Sequence, residues 1–396
     1  MTSPLLERAQ GGDERAFQEL TAPHVRELHL HCYRMLGSVT DADDLLQEIL
    51  LAAWTGLDGF AGRSSLRTWL YRIATNRCLN AIRDGKRRPP TEPLPPFDPP
   101  EPTRRGDITW LQPYPDTWLE DHAVRRETIE LAFVTALQRV PPRQTATLVL
   151  VDVLGFTIAE VADQMDTTPT AAKGALQRAR AAMKQPRSRR AADREGERAG
   201  RAPVDGAGER AGGVPGDGAG QWVVGVPVAG ERASGVPGDG AGARVGGVPG
   251  DGAGERAGDV PVYGARERAG NVPVDSEREW AVARRFAAAF VADDIEAVTS
   301  LLTDDAWLAM PPAPHEYQGA VAIAAFLRAS ANADGRRDAQ LRLDASGCNH
   351  QPGLICYFLV EGRDPWYAGR FVLTIDGERI SRITRFLEPA LEKVLT

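Results

Sequence analysis

Two stretches of the chain gather cations, amides and aromatic rings at helical spacing, a combination that suits nucleic acid. The first is FAGRSSLRTWLYRIATNRCLNAIRDGKRR, residues 60–88. Leu66, Trp69, Leu70 and Ile73 form an apolar stripe, and Arg72, Asn76, Asn80 and Arg83 follow a second stripe at steps of three or four. Arg63, Arg67, Arg77, Lys86, Arg87 and Arg88 add charge, and Asp84 is the one acid between Ser64 and Pro90. Cations meet phosphate, amides meet base edges, and Trp69 and Tyr71 offer rings on which bases stack.

The second stretch is FTIAEVADQMDTTPTAAKGALQRARAAMK. Gly155 ends the preceding helix. Thr157 to Met165 reads as a short helix opened by a capping box of Thr157 and Glu160. Asp166-Thr167 is a tight turn, Thr168 caps the next helix, and Pro169 takes its first position. That helix carries Lys173, Gln177, Arg178, Arg180 and Lys184 and no acid. A short helix, a turn and a basic second helix make a helix-turn-helix, whose second helix enters the major groove. Gly174 sits in mid-helix at a cost of about 1 kcal/mol against alanine, which fits either close approach to DNA or simple tolerance.

A third stretch, DADDLLQEILLAAWTGL after Thr40, has apolar residues at 42, 45, 46, 49, 50, 53, 54 and 57. That is an amphipathic helix, with Thr40 as its expected N-cap. Asp43, Asp44, Gln47 and Glu48 occupy the other face, which is either an ordinary solvated surface or a docking surface. Other constellations are poorer. His24, His29, His31 and Cys32 are close in sequence, but two residues turn a helix by about 200°, so His29 and His31 cannot share a face and no metal is expected. Asp305, His315, Tyr317, His350 and Arg370 are polar candidates for a pocket near the C-terminus, and their spacing assigns no catalysis. There is no Walker loop, no GxGxxG before a helix and no HExxH.

The elements that position these residues follow from composition. At 396 residues, two or three domains are expected. Residues 1–85 and 120–185 read as helical, joined by a linker in which 86–116 holds ten prolines. Residues 196–275 contain 23 of the 40 glycines and a repeat near GERAGGVPGDGA, with prolines at 203, 215, 227, 237, 249, 261 and 273. Each copy offers too little apolar surface to offset chain entropy, so the repeat reads as a disordered tether. Beyond it, Trp280, Ala283, Phe286, Ala287 and Phe290 mark an amphipathic helix. The runs QLRLDAS, GLICYFLVEG, YAGRFVLTIDG and RISRITRFLEP then read as strands, with a hairpin at Asp376-Gly377. An α+β domain is expected, helices first and an antiparallel sheet after. Cys32, Cys78, Cys348 and Cys356 are too few and too scattered for a disulfide scaffold, and Cys348 and Cys356 suit buried strand positions. No apolar run is long enough to span a membrane, the N-terminus lacks a secretory pattern, and a cytoplasmic location is expected. The net charge of −7 argues against a generally basic DNA coat but not against local basic surfaces.

DADDLLQEILLAAW, FAGRSSLRTWLYRIATNRCLNAIR and FTIAEVADQMDTTPTAAKGALQRARA, in this order, resemble an extracytoplasmic-function (ECF) sigma factor of bacterial RNA polymerase. WLQPYPD at 110–116 and the C-terminal part resemble the SigG-like branch, which carries a SnoaL-like extension. The resemblance implies a multidomain chain. Residues 5–85 would form sigma region 2, a helical bundle, and 86–119 a Pro-rich linker directed toward the polymerase cleft. Residues 120–185 would form sigma region 4, 186–275 the disordered repeat linker, and 276–396 a cone-shaped α+β SnoaL-like regulatory domain.

The same resemblance assigns roles. Asp44, Gln47 and Glu48 would contact the β′ clamp of core RNA polymerase. Phe60, Arg63 and Ser64, with Arg67, Trp69, Arg72, Asn76 and Arg77, would capture the −10 element. Thr168, Thr170, Lys173, Gln177, Arg178 and Arg180 would read the −35 element, while Ala175 stands where many relatives have arginine. Partners would be core polymerase and promoter DNA, with no membrane and no evident anti-sigma factor. No cofactor and no catalytic residue are implied, and a small-molecule ligand for the C-terminal domain stays open. Two other readings are a stand-alone helix-turn-helix regulator and a SnoaL-like enzyme fused to a DNA-binding module. The basic, aromatic 60–88 segment upstream of a separate reader favours the initiation factor.

Overall fold

The computed structural model describes residues 4–85, 97–105, 111–119, 125–184, 274–331 and 339–387. The Gly-rich repeat lies outside the described residues, as does 86–96 of the proline-rich stretch. Four helices open the chain: α1 (Pro4–Gln10), α2 (Glu14–Leu36), α3 (Val39–Gly56) and α4 (Leu66–Asp84). Asp13 caps α2 by accepting from Ala16 N, and Gly37 ends it at φ 75°, a conformation natural to glycine. Ser38, not Thr40, caps α3 by accepting from Asp41 N. The expected cap is displaced because Gln112, far along the chain, sets its amide oxygen at this terminus. That oxygen accepts from Val39 N at 2.8 Å and Thr40 N at 3.1 Å, satisfying backbone donors that a helix start leaves unpaired. Leu28, Leu45, Ile49, Ala53, Leu70 and Ala74 pack between these helices with almost no exposure.

The second helical group is α5 (Leu131–Leu137), α6 (Pro142–Leu148, continuing as a π-turn over Val149–Val153), α7 (Ile158–Gln164) and α8 (Pro169–Lys184). The reciprocal capping box of Thr157 and Glu160 opens α7, and Thr168 Oγ1 accepts from Ala171 N at the start of α8. Ala172, Leu176 and Ala179, three and four apart, are the buried face of α8, and Leu176 and Ala179 pack toward Leu137 and Val149.

The C-terminal part is α+β. Helices α9 (Val274–Val291), α10 (Ile295–Ser300) and α11 (Gly319–Ala331) pack on strands β2 (Leu302–Ala309), β3 (His315–Gln318), β4 (Gln340–Ala345), β5 (Gly353–Leu359), β6 (Trp366–Asp376) and β7 (Arg379–Phe386). Phe286 and Phe290 of α9 meet Phe371 of β6 in the core. Two expectations are corrected. The sheet is mixed, because β2 runs parallel to β7 while every other pair is antiparallel. A parallel neighbour needs a long crossover, and α11 with β3 to β6 supplies it. Nor do all helices precede the strands, since α11 lies between β3 and β4.

A seventh strand comes from the proline-rich linker. Strand β1 (Arg104–Arg105) pairs antiparallel with β3, giving the order β1-β3-β2-β7-β6-β5-β4. Further along the linker, Leu111, Gln112 and Tyr114 are buried at 4%, 1% and 2% exposure, so this segment is core and not spacer. Leu111 and Tyr114 join one apolar cluster with the α1–α4 helices and with Cys348, Val372 and Phe386 of the C-terminal part.

Candidate nucleic-acid interface

The turn Leu57–Gly59 leads from α3 to the Phe60–Ser65 loop. Gln10 of α1 donates to Leu57 O and Phe60 O, both at 3.1 Å, which fixes where the loop departs. Ser65 caps α4 by accepting from Thr68 N at 3.0 Å. Ala61 to Ser65 are exposed, and the Phe60 ring leans on Trp69 with centroids 5.1 Å apart. Arg63 and Ser64 thus sit on an open loop beside two partly exposed rings, a shape able to receive an unstacked base.

Along α4, Arg72 and Arg77 are exposed and Asn76 is half-buried. The sequence expectation for Tyr71 is corrected: it is fully buried and unavailable for stacking on bases. Its ring lies 5.3 Å from His31 and 5.3 Å from Phe156, because α4 packs against both α2 and the α6–α7 junction and buries a second face. His31 bonds Thr75 on that side, whereas His29 meets Tyr114 Oη at 2.9 Å on another, as their spacing predicts.

Several of the arginines have partners within the chain. Arg67 bonds Glu27 at 3.2 Å and lies over the Tyr71 and Phe156 rings at 4.9 and 4.7 Å. Arg72 reaches Asp166, in the turn between α7 and α8, at 2.7 Å. Arg77 stands 3.8 Å from Glu48. Arg67 and Arg72 thus meet the helix-turn-helix stretch, whereas Arg77 turns to α3.

On α8, Thr170, Lys173, Gln177 and Arg178 are exposed, as is the capping Thr168. Arg178 folds back over Gly174, where a Cβ would approach its Nη1 to 3.3 Å, so the mid-helix glycine makes room for a guanidinium. Ala175 is half-buried. Arg180 turns toward Asp152, with bonds of 2.6 and 2.9 Å that hold its pKa above the usual arginine value.

The outer face of α3 carries exposed Asp44, Gln47 and Glu48. Leu51 joins them at 64% exposure, and sequence reasoning missed it. Its signal was present: among the aliphatics of α3 it falls outside the apolar stripe, one turn from Gln47 and Glu48. Asp44, Gln47, Glu48 and Leu51 thus form one exposed patch on α3.

The five polar candidates of the C-terminal part do not converge. Asp305 is exposed and bonds Thr303. Tyr317 donates to Pro100 O, His350 N donates to Asp116, and buried Arg370 donates to Cys348 Sγ at 2.6 Å. His315 pairs with Arg105 across the β1–β3 ladder. Cys348 and Cys356 are buried as expected, though Cys348 precedes β5 instead of lying on it. Burial raises the Cys348 thiol to about 11, against the opposing pull of Arg370.

Residues 20–88 match the family Sigma-70 region 2, and residues 130–183 match Sigma-70 region 4. The ECF RNA polymerase sigma factor SigG of Mycobacterium tuberculosis is 50% identical over 182 residues, which cover 43% of this chain and 49% of that protein. The chain thus spans about half the length of that relative. SigM of the same organism is 33% identical over 179 residues, covering 45% of this chain and 81% of that protein. The crystal structure of the Mycobacterium tuberculosis sigma factor SigJ aligns over 93% of this chain and 96% of that one, at 18% identity and a TM-score of 0.49.

Proposed function

The chain belongs to the ECF RNA polymerase sigma factors, and from that premise we propose that it binds core RNA polymerase and directs promoter recognition and melting. The observation that carries this reading is the presence in one chain of two cationic readers on separate elements. One is the Phe60–Ser65 loop with α4, and the other is α8.

In this reading Asp44, Gln47 and Glu48, with Leu51 among them, dock on the polymerase β′ clamp. Phe60, Arg63 and Ser64 receive an unstacked base of the −10 element, and Arg67, Trp69, Arg72, Asn76 and Arg77 hold the strand. Trapping a base outside the stack makes melting favourable without nucleotide hydrolysis. Thr168, Thr170, Lys173, Gln177, Arg178 and Arg180 read the −35 element in the major groove. The protein contributes no catalytic group of its own. Residues 276–396 form a regulatory module.

The reading also sets a mechanical requirement. The two promoter elements lie about 25 base pairs apart, about 85 Å of duplex at about 3.4 Å per base pair. Arg72 and Asp166 are 2.7 Å apart, so the described arrangement is a closed form that must open to occupy both elements. That pair is solvent-exposed on both sides and worth less than about 1 kcal/mol, so the main cost of opening lies in the apolar contact of Tyr71 with Phe156. Permanganate footprinting tests the proposal: core polymerase plus this chain exposes thymines near position −10 of a cognate promoter, and core alone does not. Protection equal to core alone contradicts it.

A further inference from the structure

We propose that the C-terminal domain is a peptide-binding module whose ligand is the proline-rich linker of its own chain, captured by strand addition. Strand β3 is bordered by β2 on one side and by linker residues on the other. An uncovered edge of backbone N–H and C=O groups is a template for an extended segment. Arg104 pairs with Glu316 and Arg105 with His315 in that ladder.

Side chains read the segment in register. The Arg104 guanidinium bonds the Glu316 carboxylate and lies 4.8 Å over the Trp307 ring. Arg382 stands 3.9 Å from the other Glu316 oxygen, which anchors that carboxylate from within the domain. Gln318 N donates to Thr103 Oγ1 at 3.0 Å, and Tyr317 Oη donates to Pro100 O at 2.9 Å. Phe97 packs on Phe326 with ring centroids 5.3 Å apart, and Phe326 in turn packs on Tyr317 at 4.8 Å. Pro99, Pro100 and Pro102 have no N–H to offer a ladder, so this part is gripped by its carbonyl and its ends. Proline also presets an extended backbone and lowers the entropy lost on binding. The ligand class is therefore an extended, proline-rich peptide with an aromatic residue at its start and threonine-arginine at its end.

A second grip follows downstream. Loop 346–352 holds Tyr114 and Asp116: Asn349 N donates to Tyr114 O, Asn349 Oδ1 accepts from Tyr114 N, and His350 N donates to Asp116 Oδ1. The first grip is the releasable one, since its ladder is only two residues long whereas the second is centred on the fully buried Asn349. The consequence for transcription rests on the initiation reading: a captured linker keeps α4 and the helix-turn-helix together, and its release precedes their separation.

The test uses the full chain and a fluorescent synthetic peptide of residues 97–105. The wild-type linker occupies the edge at high effective concentration and excludes the probe. A chain carrying Phe97→Ala and Arg104→Glu binds the probe about tenfold tighter or more. A chain carrying Phe97→Ala and Glu316→Arg, whose own Arg104 is repelled from the edge, binds a probe carrying Arg104→Glu and does not bind the wild-type probe. Hydrogen exchange gives a second readout: β3 amides exchange about tenfold faster or more in Arg104→Glu alone, while α2 and α8 amides keep wild-type rates. Equal probe affinity of wild type and variant, binding indifferent to Glu316→Arg, or unchanged β3 exchange overturns the proposal. Neither readout involves polymerase, so its failure is distinct from failure of the initiation reading.

Discussion

His31 is wholly buried between Tyr71 and Thr75, and burial, with Arg34 nearby, pushes its pKa down to about 3. The folded state therefore holds it neutral while the unfolded chain takes a proton near pH 6.5. Its stabilising effect is complete above about pH 6.5 and is lost as pH falls, by about 1.4 kcal/mol per unit. Thermal unfolding between pH 5 and 8 should show that decline, and His31→Gln should flatten it. Lys173 and Arg178 are exposed on α8. Replacing both with alanine should weaken −35 binding by the holoenzyme and reduce its salt slope by about one per residue. An unchanged slope would remove them from phosphate contact. The cationic and amide positions of α4 and α8 were legible in the sequence because charge at three- and four-residue steps marks a face. Tyr71 was not, because its burial depends on Phe156, 85 residues later. The engagement of Arg72 by Asp166 and of Arg180 by Asp152 was equally hidden, since a cation's partner is set by packing and not by its own helix.

Helix α3 offers the cleanest test among the elements. Asp44→Lys with Glu48→Lys should abolish core polymerase association while circular dichroism stays unchanged, because both side chains are exposed. Normal co-purification with core would end the docking assignment. The loop 346–352 behaves in the opposite way, being buried and structural. Asn349 is fully buried at φ 59°, and its amide donates to Tyr33 Oη at 2.9 Å and Ile129 O at 2.7 Å while accepting from Tyr114 N. Beside it, a Cβ on Gly347 would run into the Asp116 carboxylate that His350 N pins. Asn349→Ala should cost about 3 kcal/mol by stranding buried donors and acceptors, and should split thermal unfolding into two transitions. The helix-turn-helix was readable down to its capping box because its signals are local. Strands β1, β2 and β3 were not. Asp304 and Asp305 break the apolar pattern of β2, and a two-residue strand inside a proline-rich run has no periodicity to detect.

Across the whole molecule the linker is the piece that sequence misjudged most. Proline content reads as a spacer, yet Gln112 caps α3, Tyr114 sits in the shared core and Arg104 extends the sheet. Such roles depend on partners 72 to 235 residues away, which no local pattern encodes. The closed arrangement is held in part by the exposed Arg72–Asp166 pair. Asp166→Arg should set two guanidinium groups against each other and shift the chain toward the open form several-fold, seen as a longer distance between fluorophores at positions 58 and 184. An unchanged distance would mean that apolar contacts alone keep it shut. Core RNA polymerase should be incubated with genomic DNA with and without this protein, and the 5′ ends of the transcripts mapped. The account predicts new start sites that share a common pair of upstream elements and appear only when the protein is present. An identical set of ends in both reactions would contradict it.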